Sequence, residues 1–232
     1  MMVSRPYRTR AVFIVLWSAV LVVFSGIGCK KKSPAVETET VEKAVDEKKP
    51  EWRILVDEWE DPDPIPGFEL IDQEGKPLSL DGYDDSFLLM GFVFSRCQVP
   101  EACPLTMKRL KEVQQLWKKT ASQGDMNGRK LQILGVTLDP EFDTPDILKK
   151  YLLHHGGDPS SWSMVTGPEE LVATELPSLF NVMALPDGKG SINHSVKVAL
   201  LRPGRLFLKE WRDNKFDARD VVDLIAGYTP ED

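Results

Sequence analysis

Two cysteines stand six positions apart in the middle of the chain, where the sequence changes from a strand-like to a helix-like pattern. The apolar run Phe87–Phe94 has the length of a strand, and it is followed by Cys97, Cys103 and Pro104. After Pro104, apolar side chains recur at helical steps with lysines and arginines between them. The pattern predicts a strand, a loop and a helix, with the thiols in the loop and at the helix start.

The two thiols can act together only if the loop between them folds back. Residues six apart in a continuous helix are separated by about 9 Å of rise, whereas the Cα atoms of a disulfide lie roughly 4.4–6.8 Å apart. Pro100 disfavours helix at the residue before it, and Pro104 suits the first helical position. We therefore expect Cys103 at the N-cap, where the helix dipole lowers the pKa of a thiol. Such a pair forms a redox-active disulfide or a site for a soft metal.

Composition narrows the classes of function. The chain has 232 residues, 42% of them hydrophobic, and a formal charge of −7 at pH 7. This acidity argues against nucleic-acid binding as the main task. The chain holds three cysteines, and if Cys29 has a separate role, Cys97 and Cys103 form one isolated pair. One pair in a domain of this size favours redox or metal chemistry, with a single structural disulfide as the alternative.

The amino-terminal part is predicted to direct export and to anchor the domain. Residues 1–28 are predicted to be a signal peptide of the lipoprotein type, because arginines precede the apolar run Ala11–Phe24, which is short for a membrane span. Cys29 is then the lipidation site; a plain signal peptide or an uncleaved anchor are the alternatives. Residues 29–60 are dense in charge and are predicted to be a flexible tether. The domain over residues 61–232 is therefore expected to face the periplasm or the cell exterior.

Strands alternate with helices through this domain. The predicted elements are two short strands around residues 73–76, a buried strand over 87–94, a helix over 104–122, a buried strand over 131–138, a helix over 143–155, a short strand over 162–165, a helix from 167 that Pro177 interrupts, a hairpin over 196–211 and a helix over 217–228. This order predicts an α/β fold of the thioredoxin-like sandwich type, with a central mixed sheet and flanking helices.

Three short motifs lie at intervals along the domain. They are FSRC and CPLT within residues 94–106, VTLDPEFDTP over residues 136–145, and NHS over residues 193–195. In order and spacing they resemble the SCO/SenC family of copper-binding, thioredoxin-fold proteins, over roughly residues 66–228. The three motifs together are much more specific than any one of them alone.

The resemblance implies a membrane-anchored copper chaperone that assists assembly of the copper centre of cytochrome c oxidase. The family's cysteines fall on Cys97 and Cys103 and its histidine on His194, which makes these three the implied copper ligands. Two thiolates and an imidazole suit Cu(I), and a trigonal site of this kind also suits Cu(II), whereas zinc usually takes a fourth ligand. The family's Asp-Pro motif falls on Asp139, which either supports the ligands or caps a loop. The implied partner is an oxidase subunit or another copper protein, and we expect a monomer.

The chain also departs from the family's pattern. The family usually places three residues between its cysteines, whereas five lie between them here, and Asn193 stands where an acid is common. An enzymatic alternative is an extracytoplasmic thiol–disulfide oxidoreductase, in which Cys97 and Cys103 act as the redox pair on a partner's cysteines. A third hypothesis is an anchored interaction domain whose disulfide only pins a loop. Arg96 is expected either to lower the pKa of Cys97 or to be a solvated charge, while His154 and His155 are expected to be structural or solvated.

Overall fold

In the computed structural model, which describes residues 63–124 and 126–229, strands and helices alternate. The strands are β1 (Glu69–Asp72), β2 (Pro77–Ser79), β3 (Phe87–Val93), β4 (Leu131–Thr137), β5 (Trp162–Thr166), β6 (Ala184–Pro186), β7 (Ile192–His194), β8 (Lys197–Arg202) and β9 (Leu206–Arg212). The helices are α1 (Cys103–Ser122), α2 (Pro145–His154), α3 (Leu176–Leu179) and α4 (Ala218–Gly227). The predicted export signal, Cys29 and the tether lie outside the described residues.

A seven-stranded mixed sheet forms the centre of the fold, in the order β2-β1-β5-β4-β3-β8-β9. Strands β3, β4 and β5 are parallel, while β8 runs antiparallel to β3 and β9 antiparallel to β8. All seven residues of β3 are buried, as expected for a strand covered on both faces. The prediction of a central mixed sheet with flanking helices is confirmed.

Close packing of α1 on β3 fixes the start of that helix. A Cβ atom at Gly91 would lie 3.1 Å from Leu110 Cδ1, closer than carbon atoms normally approach. Glycine therefore lets the helix lie directly on the strand. The first residue of α1, Cys103, is fully buried at the edge of this contact.

The structure corrects two predictions about local structure and adds a small sheet that was not predicted. Helix α1 begins at Cys103 rather than at Pro104, and Ala102 is the N-cap. Pro177 does not end the third helix: a π-helical segment over Glu170–Glu175 continues into α3, and the helix changes type at Leu176, next to the residue that cannot donate a helical hydrogen bond. Strands β6 and β7, which form a separate two-stranded sheet, were not predicted.

The helices have lengths typical of a globular domain. Among the described residues, none combines enough length with enough apolar character to cross a bilayer.

Candidate metal centre

Three side chains from distant parts of the chain converge beside the start of α1. Cys97 lies in the loop after β3, Cys103 is the first residue of α1, and His194 is the last residue of β7. Their sulfur and nitrogen atoms all lie within 4.8 Å of one another. Cys103 Sγ and His194 Nε2 are 3.3 Å apart, and both cysteines are free thiols. The structure therefore brings together the two cysteines and the histidine singled out from the sequence.

Two tight turns fold the cysteine loop back on itself. The Cys97 amide donates to Phe94 O at 3.3 Å, and the Ala102 amide donates to Val99 O at 3.0 Å. Pro100 lies inside the second turn. These bonds return the chain to the start of α1 in five residues, so the fold-back that the spacing of the cysteines requires is present.

The orientation of His194 leaves one ring nitrogen available to a metal. Nδ1 lies 3.0 Å from Ser195 O. Because a carbonyl oxygen can only accept, Nδ1 carries the proton, and in the neutral ring the lone pair of Nε2 points to Cys103 Sγ. The edge of the ring contacts Phe94, with ring centroids 5.6 Å apart. Across the β6–β7 hairpin, His194 pairs with Ala184 of β6.

The two thiols differ in pKa, and Cys97 rather than Cys103 has the lowered value. The expectation that the helix dipole lowers the pKa of Cys103 is therefore wrong. A hydrogen bond from Cys103 is the main cause that lowers the pKa of Cys97 from 9.0 to about 5. The same contact and burial raise the pKa of Cys103 well above its ordinary value. The helix start does not overcome these effects, because Cys103 is buried beside a second sulfur that is easier to ionise. Cys97 is thus the thiolate and Cys103 the proton donor.

This arrangement is suited to a soft cation. Cys103 has two acceptors within reach, the Cys97 thiolate and His194 Nε2, so the three donor atoms share one proton. A metal ion that replaced this proton would meet two sulfur donors and one imidazole nitrogen. That donor set fits copper, since thiolates select Cu(I) and imidazole also suits copper. Over the residues described, these three form the group that could hold a metal.

Arg96 and Asp139 form an ion pair next to the cysteine loop. The Asp139 carboxylate accepts from Arg96 Nε at 2.8 Å and from Nη2 at 2.6 Å, and Asp139 is 7% exposed. The guanidinium lies over the Phe142 ring, 4.3 Å from its centroid. A Cβ atom at Gly190 would lie 3.1 Å from Arg96 Nη1, so this side chain also contacts the β6–β7 turn. Arg96 is not among the causes of the low pKa of Cys97, so that expectation is wrong.

A second carboxylate, that of Asp143, supports the start of the cysteine loop and was not identified from the sequence. Asp143 is fully buried and accepts from the Ser95 amide at 3.0 Å and from Thr137 Oγ1 at 2.6 Å. Burial raises its pKa above the ordinary value. Its place in the VTLDPEFDTP motif was the signal that could have identified it. Ser95 is two residues before Cys97, so Asp143 fixes the point at which the chain leaves β3.

The other histidines lie apart from this group. His154 and His155 stand at the end of α2, where their rings contact each other with centroids 5.3 Å apart. His155 also packs against Tyr151 at 4.6 Å. Burial lowers the pKa of His155. Neither residue belongs to the Cys97, Cys103 and His194 cluster.

Comparison with known proteins agrees with the motifs. Residues 57–229 match the family model described as SCO1/SenC. The chain belongs to the SCO1/SenC family. A protein of Stutzerimonas stutzeri whose name describes it as copper-binding is 31% identical over 147 residues, which cover 60% of this chain and 64% of that relative. The chain therefore spans less than two thirds of that relative's length.

Solved structures of SCO1/SenC proteins share the fold. BsSco, described as a member of the Sco family of cytochrome c oxidase assembly proteins, superposes with a TM-score of 0.58 at 21% identity, covering 71% of this chain and 92% of its own. Yeast Sco1 with copper bound gives a TM-score of 0.56 at 26% identity, covering 73% and 92%. These likenesses confirm the predicted thioredoxin-like α/β fold.

Proposed function

We propose that this protein is a membrane-anchored copper chaperone of the SCO1/SenC family, with Cys97, Cys103 and His194 as the copper ligands. The observation that carries the proposal is the convergence of their donor atoms within 4.8 Å. The copper-binding name of the Stutzerimonas stutzeri relative and the copper-bound yeast Sco1 support it.

The geometry gives each ligand its own task. Cys97 is half-buried and ionised, so it is the sulfur that an incoming copper ion meets first. Cys103 gives up its proton on binding, since the thiolate is the ligand. His194 Nε2, 3.3 Å from Cys103 Sγ, supplies the third donor without losing a proton, because Nδ1 holds it. Binding of Cu(I) therefore releases one proton, that of Cys103, and leaves a site with one net negative charge.

Delivery by ligand exchange follows from the difference in exposure between the sulfurs. A partner's thiolate reaches copper from the side of Cys97, whereas Cys103 is fully buried. Exchange then proceeds with Cys103 and His194 holding the ion until the partner's ligands replace them. The partner we propose is a copper-receiving subunit of cytochrome c oxidase, in line with the description of BsSco.

Copper analysis of the full chain tests the ligand set. The reduced protein should hold one copper ion per chain. His194→Ala should weaken Cu(I) binding by at least about tenfold, because losing a ligand should cost no less than losing a residue that only supports one. His154→Ala is the matched control and should bind like wild type. If His194→Ala kept full affinity for both Cu(I) and Cu(II), the three-ligand proposal would fail.

The anchoring part of the proposal rests on the amino-terminal sequence. Lipidation at Cys29 would hold the chain at the outer side of a membrane. Cys29→Ser should move the exported full chain from the membrane fraction to the soluble fraction. A variant that stayed fully in the membrane fraction would point to an uncleaved anchor instead.

A thiol–disulfide oxidoreductase is the second candidate, and the unequal thiols favour it. The Cys97 thiolate would attack a sulfur of the partner's disulfide, forming a mixed disulfide and releasing one partner thiolate. Cys103 would then lose its proton and attack Cys97 Sγ, releasing the second partner thiolate. The cysteine pair is oxidised and the partner's disulfide is reduced, so two electrons are transferred.

The two candidates separate in one pair of variants. Cys103→Ala should trap the mixed disulfide if thiol exchange is the activity, whereas Cys97→Ala should trap none. Two results would favour the oxidoreductase over the chaperone: wild type binds no copper, and adding His194→Ala to Cys103→Ala leaves the amount of trapped mixed disulfide unchanged.

A further inference from the structure

A buried asparagine holds the end of the cysteine loop from another part of the fold. Asn214, in the turn between β9 and α4, is 6% exposed. Its Nδ2 lies 3.0 Å from Glu101 O and 3.3 Å from Ala102 O. Its Oδ1 accepts from Thr106 Oγ1 at 3.0 Å. One side chain thus joins the last two residues before Cys103 to the first turn of α1.

The start of α1 lacks the support that a helix usually has. Ala102 is the N-cap and has no side-chain capping bond, and alanine is a poor residue at this position. Thr106 Oγ1 can also donate to Ala102 O at 3.1 Å, but its single hydrogen serves one acceptor at a time. The contacts from Asn214 therefore add support from another part of the fold to the loop end that carries Cys103.

The same turn is bonded to the segment that follows the strand carrying the histidine. The Asp213 amide donates to Val196 O at 3.0 Å, two residues after His194. Asp213 and Asn214 both have a φ of 54°, in the left-handed region where asparagine and aspartate are favoured. The backbone conformation of this turn directs the Asn214 side chain to the cysteine loop while the adjacent amide reaches the segment after β7.

We propose that Asn214 is a positioning residue that sets Cys103 beside Cys97 and opposite His194. It acts through backbone carbonyls and touches neither sulfur nor imidazole. The loop has two more residues than the family's usual spacing, so its end has more backbone freedom to restrain. Only the Cu(I) affinity measurement rests on the proposed function. The position of Cys103 relative to Cys97 can be measured in the metal-free protein.

The test compares variants of Asn214 in the full chain. Asn214→Gly keeps the left-handed backbone and removes all three contacts. Asn214→Asp keeps the size and the bond from Thr106, but places a carboxylate against two carbonyl oxygens. Asp213→Gly is the matched control, since it changes an exposed side chain at the same φ. Thr106→Val removes one of the three Asn214 contacts, together with the alternative bond from Thr106 to Ala102 O.

Two quantities are measured for each variant. The first is the equilibrium between the metal-free dithiol and its intramolecular disulfide in glutathione buffers, which reports the effective concentration of one thiol at the other. The second is Cu(I) affinity, measured by competition with a chromogenic chelator. Urea unfolding of the reduced, metal-free protein shows whether each variant is folded.

We expect both Asn214 variants to lower the effective thiol concentration and the Cu(I) affinity by about tenfold, which corresponds to about 1.4 kcal/mol. The loss in Asn214→Asp should be at least as large as in Asn214→Gly, because a carboxylate cannot donate to the carbonyl oxygens of Glu101 and Ala102. Thr106→Val should lose about threefold, and Asp213→Gly should stay within about twofold.

The thiol equilibrium decides the inference. The inference would be overturned if the folded Asn214 variants had the wild-type thiol equilibrium or a higher effective thiol concentration than wild type. It would also be overturned if Asp213→Gly lowered the effective thiol concentration as much as the Asn214 variants do. A wild-type protein that bound no copper, but whose thiol equilibrium shifted in both Asn214 variants, would overturn the copper proposal and support the positioning role.

Discussion

The sulfur side and the nitrogen side of the site are built differently. Cys103 is fully buried at the start of a helix that packs on the central sheet. His194 ends a three-residue strand of a separate two-stranded sheet. Two apolar side chains in and next to this hairpin are exposed, Met183 at 69% and Leu185 at 63%. The buried sulfur thus belongs to the core of the fold, whereas the imidazole comes from its periphery.

This difference separates two kinds of chemistry. The thiols are placed by α1, by the turn at Asn214 and by the buried Asp143, so their redox chemistry should not depend on the hairpin. The third copper ligand depends on contacts of the hairpin with the loop and the end of β3, among them that of Arg96 with the turn at Gly190 and that of the Phe94 ring with His194. A change in the hairpin should therefore alter copper binding and leave thiol exchange intact.

Removing the buried sulfur should have the largest effect. Cys103→Ala deletes a copper ligand and the hydrogen bond that lowers the pKa of Cys97, so high-affinity copper binding should be lost. In wild type, the rate of Cys97 alkylation should fall as the pH drops through about 5, because the thiolate is the nucleophile. In the variant this fall should occur at higher pH, towards the ordinary value of 9.0. An unchanged profile would show that Cys103 does not set the acidity of Cys97.

Disturbing the hairpin turn should have an intermediate effect. Gly190 has a φ of 92°, and a Cβ atom there would lie 3.1 Å from Arg96 Nη1. Gly190→Val should displace the hairpin and lower Cu(I) affinity by about tenfold, as expected for weakening one ligand. The dithiol–disulfide equilibrium, measured in glutathione buffers, should stay at the wild-type value.

Gly188→Val is the control for backbone strain in the same turn. Gly188 has a φ of 70°, and a Cβ atom there would meet nothing within 4 Å. Both variants should lose roughly 1–2 kcal/mol in the free energy of unfolding, but only Gly190→Val should lose copper affinity. Equal copper affinities in the two variants would contradict a role for the Arg96 contact.

Weakening the ion pair should have the smallest effect. Asp139→Asn keeps a hydrogen bond to Arg96 and removes the charge, so we expect a loss of about 1 kcal/mol in unfolding free energy. Cu(I) affinity, measured by chelator competition, should fall by only about twofold to threefold. A loss as large as that of His194→Ala would mean that Asp139 acts on the copper directly rather than through Arg96.

The central sheet and the cysteine loop could be predicted because their signals are local. The apolar runs of β3 and β4 identify buried strands, and Pro100 and Pro104 mark the loop and the helix start. The β6–β7 hairpin escaped prediction because three-residue strands are too short to show an alternating pattern. His194 was therefore identified only through the resemblance to the SCO/SenC family.

Long-range contacts account for the features that the sequence did not reveal. The pKa order of Cys97 and Cys103 depends on which sulfur is buried, and the N-cap expectation considered the helix alone. Arg96 was expected to act on Cys97, but its partner Asp139 lies 43 residues away along the chain. Asn214 reaches Glu101 across 113 residues. No spacing rule connects such residues before the fold is known.

X-ray absorption at the copper edge tests the central claim most directly. The full chain loaded with one equivalent of Cu(I) should show two sulfur scatterers and one nitrogen scatterer at the metal. His194→Ala should keep the two sulfurs and lose that nitrogen. A wild-type spectrum with sulfur ligands alone, or a nitrogen contribution that persisted in His194→Ala, would contradict the assignment of Cys97, Cys103 and His194 as the copper site.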